Sequence, residues 1–153
     1  SQALPPSKQL EKRPTLRGKH VLVVDADEGV RNNAHALLER YGCIVETAHD
    51  GGEAIFMVRN MLGEDGYDAI LADIRLPDMT GHEFMLKLKE LLEHVPLILL
   101  ADYGYDPGHN LVKCSQSGLP KNWVLCKPFR LDQLLETVER VIGASPSRVQ
   151  QTT

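Results

Sequence analysis

Residues 67–81 read Tyr67-Asp68-Ala69-Ile70-Leu71-Ala72-Asp73-Ile74-Arg75-Leu76-Pro77-Asp78-Met79-Thr80-Gly81, and the fold follows from how that run divides. It opens as a short apolar run with the length of a buried strand, and it ends on the carboxylate of Asp73. Pro77, Asp78 and Gly81 then signal a turn. A strand that delivers one Asp to its C-terminal tip, ahead of a loop, is how an open α/β sheet builds a site. Two further strands end on chemically useful residues: Asp25 follows His20-Val21-Leu22-Val23-Val24, and Lys127 follows Trp123-Val124-Leu125-Cys126. An Asp, an Asp and a Lys from three strand tips can converge in one crevice.

Working outward, apolar strands alternate with one-faced helices. A strand over 20–25 precedes a helix over 27–41, whose Val30, Ala34, Leu37, Leu38 and Tyr41 share a face and which Gly42 stops. A second strand covers 43–48, and a helix starting near Gly52 uses Ala54, Ile55, Val58 and Met61. After the loop from Gly63 to Gly66 come the strand 68–73 and a third helix beyond Gly81. That helix buries Phe84, Leu88 and Leu91, with Met85 and Leu92 flanking. Pro96 opens a strand over 97–101, and a fourth helix is placed at 108–117, after a Gly- and Pro-rich run. A strand over 123–126 and a regular helix over 131–142 close the pattern. Strands this apolar imply a parallel sheet covered on both faces. Right-handed crossovers then put Asp25, Asp73, Ala101 and Lys127 on one edge.

The chain has 153 residues and 42% hydrophobic content, which suits one domain with a proper core. Residues 1–17 carry three prolines and little apolar periodicity, and read as a linker or extended arm. The domain spans 18–143, and 144–153 reads as a flexible tail. Such an arm suggests attachment to a longer protein. A net charge of −4 and the lack of a basic run argue against direct nucleic-acid binding. The apolar runs are too short for membrane insertion. Cys43, Cys114 and Cys126 are odd in number and widely spaced, which favours the reducing cytoplasm and buried or half-buried thiols.

Asp73 alone carries little weight, because an Asp at a strand end is often a cap. The combination is more specific. Asp25 and Asp27 would lie near Asp73, and carboxylates about 4 Å apart repel by roughly 4 kcal/mol at an intermediate dielectric. A hard divalent cation relieves this, and magnesium suits one or two carboxylates plus a phosphate. Lys127 can pair with Asp73, then with a phosphoryl oxygen once Asp73 is modified. A carboxylate can serve as nucleophile and form an aspartyl-phosphate. The chemistry implied is phosphoryl transfer to Asp73.

The runs VLVVDADEGVR, ILADIRLPDMTG and CKPF, in that order and spacing, resemble the response-regulator receiver domain of two-component signalling, over roughly residues 19–143. The resemblance implies a flavodoxin-like five-stranded parallel sheet of order 2-1-3-4-5, with helices on both faces. It implies that Asp73 is the phosphoacceptor, that Lys127 is the site lysine, and that Pro128 follows it in a cis peptide. It implies Mg2+ held by Asp25, Asp73 and the Arg75 backbone. Arg75 and Tyr103 occupy positions that flank the acceptor, with a plain solvated role equally open to them. The partners implied are a histidine kinase or a histidine phosphotransfer protein, with homodimerisation through helix four, strand five and helix five as a further option. The opening LRGKHVLVVD also resembles the linker-to-receiver joint of hybrid histidine kinases. The domain itself would not be an enzyme, although such a parent chain would be a kinase.

Three positions depart from the family pattern. Ala26 stands where a second acid usually ligates the metal, with Asp27 or Glu28 as candidate substitutes. The bland reading of both is first-turn acids complementing the helix dipole. Ala101 stands where a Ser or Thr hydroxyl usually bonds the phosphoryl group, and Asp102 follows it. Val124 fills the place of the switch aromatic, with Trp123 one residue earlier. Acceptor and lysine are retained while metal affinity and switching are weakened. Two readings follow: a phosphorylated receiver with altered switching, or a degenerate receiver acting as a phosphorylation-independent interaction module. A rival from another class takes Asp25-Ala26-Asp27 as the opening of a haloacid-dehalogenase-type phosphatase with Asp25 as nucleophile. The lack of an acidic pair after Lys127 argues against it.

Overall fold

The computed structural model describes residues 13–101, 123–126 and 129–144. Its strands are β1 (His20–Val24), β2 (Ile44–Ala48), β3 (Ala69–Asp73), β4 (Leu97–Ala101) and β5 (Val124–Cys126). Its helices are α1 (Glu28–Arg40), α2 (Gly51–Asn60), α3 (Gly81–Leu91) and α4 (Leu131–Gly143). The helix expected at 108–117 lies outside the described residues.

The strands form one five-stranded sheet of order β2-β1-β3-β4-β5, and every pairing is parallel. This is the flavodoxin-like order, with helices packed on both faces. Composition explains which strands are central. All residues of β3 and β4 are buried, as are Val21 to Val24 of β1. β2 at the edge mixes buried Val45 with exposed Ile44. Each large apolar side chain taken out of water contributes about 1.5–3 kcal/mol, so the strands apolar on both faces occupy the middle.

Local signals set the helix ends. Asp27, Asp50 and Thr80 are the N-caps of α1, α2 and α3, and Thr80 with Glu83 forms a reciprocal capping box. Beyond α1, Gly42 takes a φ of 91°, in the left-handed region that favours glycine. Leu134, Leu135, Val138 and Val141 are the buried stripe of α4, which packs against β3 and β4.

Several details differ from the sequence reading. Pro14–Leu16, expected within an extended arm, forms a single 3-10 turn whose Leu16 is fully buried in the core. A lone Leu in a Pro-rich stretch has no periodicity to announce it. Met85, expected to flank the buried face of α3, is itself buried beside Phe84 and Leu88. The thiols divide: Cys43 is buried, and burial together with the charge of Asp68 pushes its pKa up to about 11, whereas Cys126 is exposed.

Candidate functional site

The β1–β3 ladder pairs Val24 with Ala72, so the next residues, Asp25 and Asp73, emerge side by side at the C-terminal edge. The ladders extend one step past the strands. The Asp25 amide donates to the Ala48 carbonyl (3.1 Å), and the Ile74 amide donates to the Leu100 carbonyl (2.9 Å). Both carboxylates are buried, with 3% and 9% of their residues' surface exposed.

Each is oriented by the same local device. The Asp27 amide donates to Asp25 Oδ1 at 2.9 Å, and the Arg75 amide donates to Asp73 Oδ1 at 2.8 Å. An Asp side chain bonded to the amide two residues on is the geometry of an Asx turn. It holds one oxygen of each acid against its own loop.

The loop after Asp73 is closed on itself. The Gly81 amide donates to the Ile74 carbonyl (2.7 Å), the Leu76 amide donates to the Met79 carbonyl (3.1 Å), and Arg75 bridges Thr80. Space at Gly81 is tight, since a Cβ there would lie 3.0 Å from a Leu99 methyl and 3.1 Å from the Ile74 Cα.

Two buried carboxylates at neighbouring strand tips are hard-oxygen donors, the kind magnesium takes. Asp25 and Asp73 would hold the ion, with the Arg75 backbone as the further donor that the resemblance implies. Among the described residues, no third His, Cys, Asp or Glu joins them into a larger metal-binding group. Asp27, nominated as a substitute for the acid missing at Ala26, is exposed and caps α1. Its Oδ1 accepts from the amides of Gly29 (2.7 Å) and Val30 (3.2 Å). The capping role is the one the structure displays, because unsatisfied N-terminal amides attract the nearest carboxylate.

Ala101 ends β4 with no exposed surface, and its methyl offers no hydrogen-bonding group. Val124 is half-buried and pairs with Leu99 on the ladder. Trp123 is buried and meets His94 edge to face, with ring centroids 6.0 Å apart. Lys127, Pro128, Asp102 and Tyr103 lie outside the described residues.

Two contributors were not singled out from the sequence. Arg31, in the first turns of α1, reaches back over the β1–α1 loop. Its guanidinium donates to the carbonyls of Asp25 (2.6 Å) and Ala26 (3.1 Å), which fixes a cation on the backbone of that loop. Asp78, read only as a turn residue, accepts from the amides of Gly51 (2.9 Å) and Gly52 (2.8 Å) at the start of α2. Its partners stand 26 and 27 positions away, so no local pattern could reveal them.

A doubly wound parallel sheet with an acid pair at the tips of its first and third strands is the architecture of a phosphoryl-signalling receiver. The family model for the response regulator receiver domain matches residues 21–139, and the chain belongs to that family. Response regulator MprA of Mycobacterium avium (strain 104) is 31% identical over 122 residues, which cover 80% of this chain and 50% of the relative. Transcriptional regulatory protein ZraR of Salmonella typhimurium is 30% identical over 129 residues, covering 84% of this chain and 27% of the relative. The chain thus spans half the length or less of these two relatives. Among solved structures, a CheY-like receiver domain from Methanospirillum hungatei JF-1 aligns with a TM-score of 0.71 and 29% identity, over 82% of this chain and 94% of that one. A receiver domain from Clostridium thermocellum aligns with a TM-score of 0.74 over 88% of this chain and 99% of that one. Its 21% identity supports the shared fold.

Proposed function

We propose that this receiver accepts a phosphoryl group on Asp73 from a histidine kinase or a histidine phosphotransfer protein, with Mg2+ at Asp25 and Asp73. The observation that carries the reading is the pair of buried carboxylates side by side at the tips of β1 and β3, each with one oxygen turned into its own loop. With Oδ1 held by the Arg75 amide, the other oxygen of Asp73 is the nucleophile. It attacks phosphorus as the P–N bond to the donor imidazole breaks. The bonding electron pair leaves with the imidazole nitrogen, which takes up a proton.

Bound Mg2+ would supply charge neutralisation for the acids and the phosphoryl oxygens. Lys127, which follows β5 in the sequence, would add a fixed positive charge. Ala26 leaves metal affinity reduced, and Ala101 leaves the phosphoryl group without a hydroxyl donor from β4, so switching is altered. The domain itself is not an enzyme in this reading. Its output runs through a partner, through a second copy, or through a parent protein such as a hybrid histidine kinase.

The test is intact mass after incubation with acetyl phosphate and magnesium, beside Asp73→Asn and Asp25→Asn variants. One added phosphate, absent from Asp73→Asn, supports the proposal. No adduct across a range of magnesium concentrations and donors would favour a receiver working by phosphorylation-independent contact. An adduct retained in Asp73→Asn but lost in Asp25→Asn would point to the phosphatase chemistry instead.

A further inference from the structure

The loop after Asp73 is fastened at a second place, Asp78, five positions on. Both oxygens of Asp78 are engaged, Oδ1 by the Gly51 amide at 2.9 Å and Oδ2 by the Gly52 amide at 2.8 Å. These amides belong to the first turn of α2, where helix N–H groups have no partner within the helix and the helix dipole favours an anion. The N-cap Asp50 already serves the Glu53 amide, so Asp78 supplies from outside what the local cap leaves unmet.

The neighbouring side chain tightens the same contact. A Cβ on Gly51 would lie 2.5 Å from Met79 Sδ, and one on Gly52 would lie 3.2 Å from Asp78 Oδ2. Two consecutive glycines therefore let the loop sit directly on the helix end. Asp78 and Met79 form the outer part of the turn that starts at Asp73. Its inner part is tied by the Gly81–Ile74 and Leu76–Met79 bonds, and its Arg75 amide orients Asp73 Oδ1. Movement of Asp78 would thus pass through a short, hydrogen-bonded turn to the amide that aims the acceptor.

We propose that Asp78 is a positioning residue for phosphoryl transfer: its carboxylate, gripped by the Gly51 and Gly52 amides, holds the 74–81 turn so that Arg75 aims Asp73. The proposal rests on Asp73 being the acceptor. Binding energy realised far from the reacting atoms commonly acts this way, because small displacements of a nucleophile cost much of its reactivity.

The test compares wild type with Asp78→Ala and Asp78→Asn, the latter keeping one acceptor oxygen while its amide nitrogen opposes a backbone N–H. Three readouts are taken: the rate of adduct formation with acetyl phosphate, the thermal midpoint, and the Arg75 amide proton shift measured without donor. The expected result is a formation rate lowered roughly ten- to hundredfold in Asp78→Ala, and less in Asp78→Asn. The Arg75 amide moves in both, and most of the protein stays folded at the assay temperature. Wild-type rates in Asp78→Ala, or an Arg75 amide at its wild-type position, would overturn the proposal. So would a rate that falls only in proportion to the unfolded fraction. If Asp78→Ala does not fold, Asp78→Asn decides by the same criteria. If the wild type itself takes no phosphate, the acceptor reading fails, and the Arg75 shift alone decides whether Asp78 positions the turn.

Discussion

The guanidinium of Arg13 lies 2.6 Å from the carboxylate of Glu139, tying the residues just before β1 to α4 across 126 positions of sequence. Thr15 donates its hydroxyl to the other oxygen of the same carboxylate. The pair is mostly shielded, with 19% and 23% of the two side chains exposed. A double-mutant cycle with Arg13→Ala and Glu139→Ala should return a coupling energy of about 0.5–1 kcal/mol. A coupling indistinguishable from zero would mean that the short N-terminal turn is held by its apolar contact alone.

That apolar contact is Leu16, which has no exposed surface and whose carbonyl receives the Cys43 thiol at 3.4 Å. Leu16→Ala should destabilise the domain by about 2–5 kcal/mol, the range for deleting a buried Leu side chain. Urea unfolding measures it. A loss below about 1 kcal/mol would show that the turn detaches and leaves the core intact.

Gly42 and Gly63 separate two costs of replacing glycine. Both have positive φ, 91° and 86°, but a Cβ at Gly42 would meet Arg17 Cγ at 2.9 Å, whereas at Gly63 nothing lies within 4 Å. Gly63→Ala should cost only the left-handed backbone penalty of about 1–2 kcal/mol. Gly42→Ala should cost more, because Arg17 must also move. Equal losses in chemical denaturation would show that the Arg17 approach is energetically empty.

Stability should fall with acid in a way that Asp78 partly controls. Partial burial opposes its ionisation, but the Gly51 and Gly52 amides and the nearby His49 outweigh this and hold its pKa below the ordinary 3.8. A carboxylate with a lowered folded-state value contributes fully above the unfolded value and loses that contribution as pH falls through the folded one. The stability gap between wild type and Asp78→Asn should therefore be constant above about pH 5 and narrow below the ordinary value. Denaturant midpoints across that range supply the comparison, and a gap that widens in acid would contradict this electrostatic account.

Ala26→Asp should restore an oxygen ligand beside Asp25. The magnesium concentration that half-saturates phosphorylation should drop about tenfold, which corresponds to one extra favourable contact of ~1.4 kcal/mol. An unchanged magnesium dependence would show that residue 26 does not face the ion.

Much of the architecture was legible because its signals are local. The apolar runs at 20–24, 69–73 and 97–101 have strand length and no polar face, so they had to be central strands of a two-faced sheet. A parallel sheet puts every strand tip on one edge, and the strand order implied by the receiver resemblance, which sets β1 beside β3, makes Asp25 and Asp73 neighbours. Asp27 was ambiguous, since a carboxylate after a strand serves equally as a ligand or a cap. Hydrogen bonds to Gly29 and Val30 display the second role. Leu16 reads as part of a linker because one apolar residue after Pro14, between Thr15 and Arg17, has no period to register.

The sequence by itself determined the order and type of the elements and the placing of Asp25 and Asp73 at strand ends on one sheet edge. Those follow from period, capping and turn chemistry within a few residues. The tertiary structure alone decided that Asp78 grips α2, that Arg31 closes over Asp25 and Ala26, and that Arg13 and Leu16 belong to the packed body. Each of those depends on where a side chain's reach ends after the sheet has twisted and the helices have docked. Asp78 and Leu16 find their partners across tens of residues, and even Arg31 must fold back over a loop whose path the sheet sets.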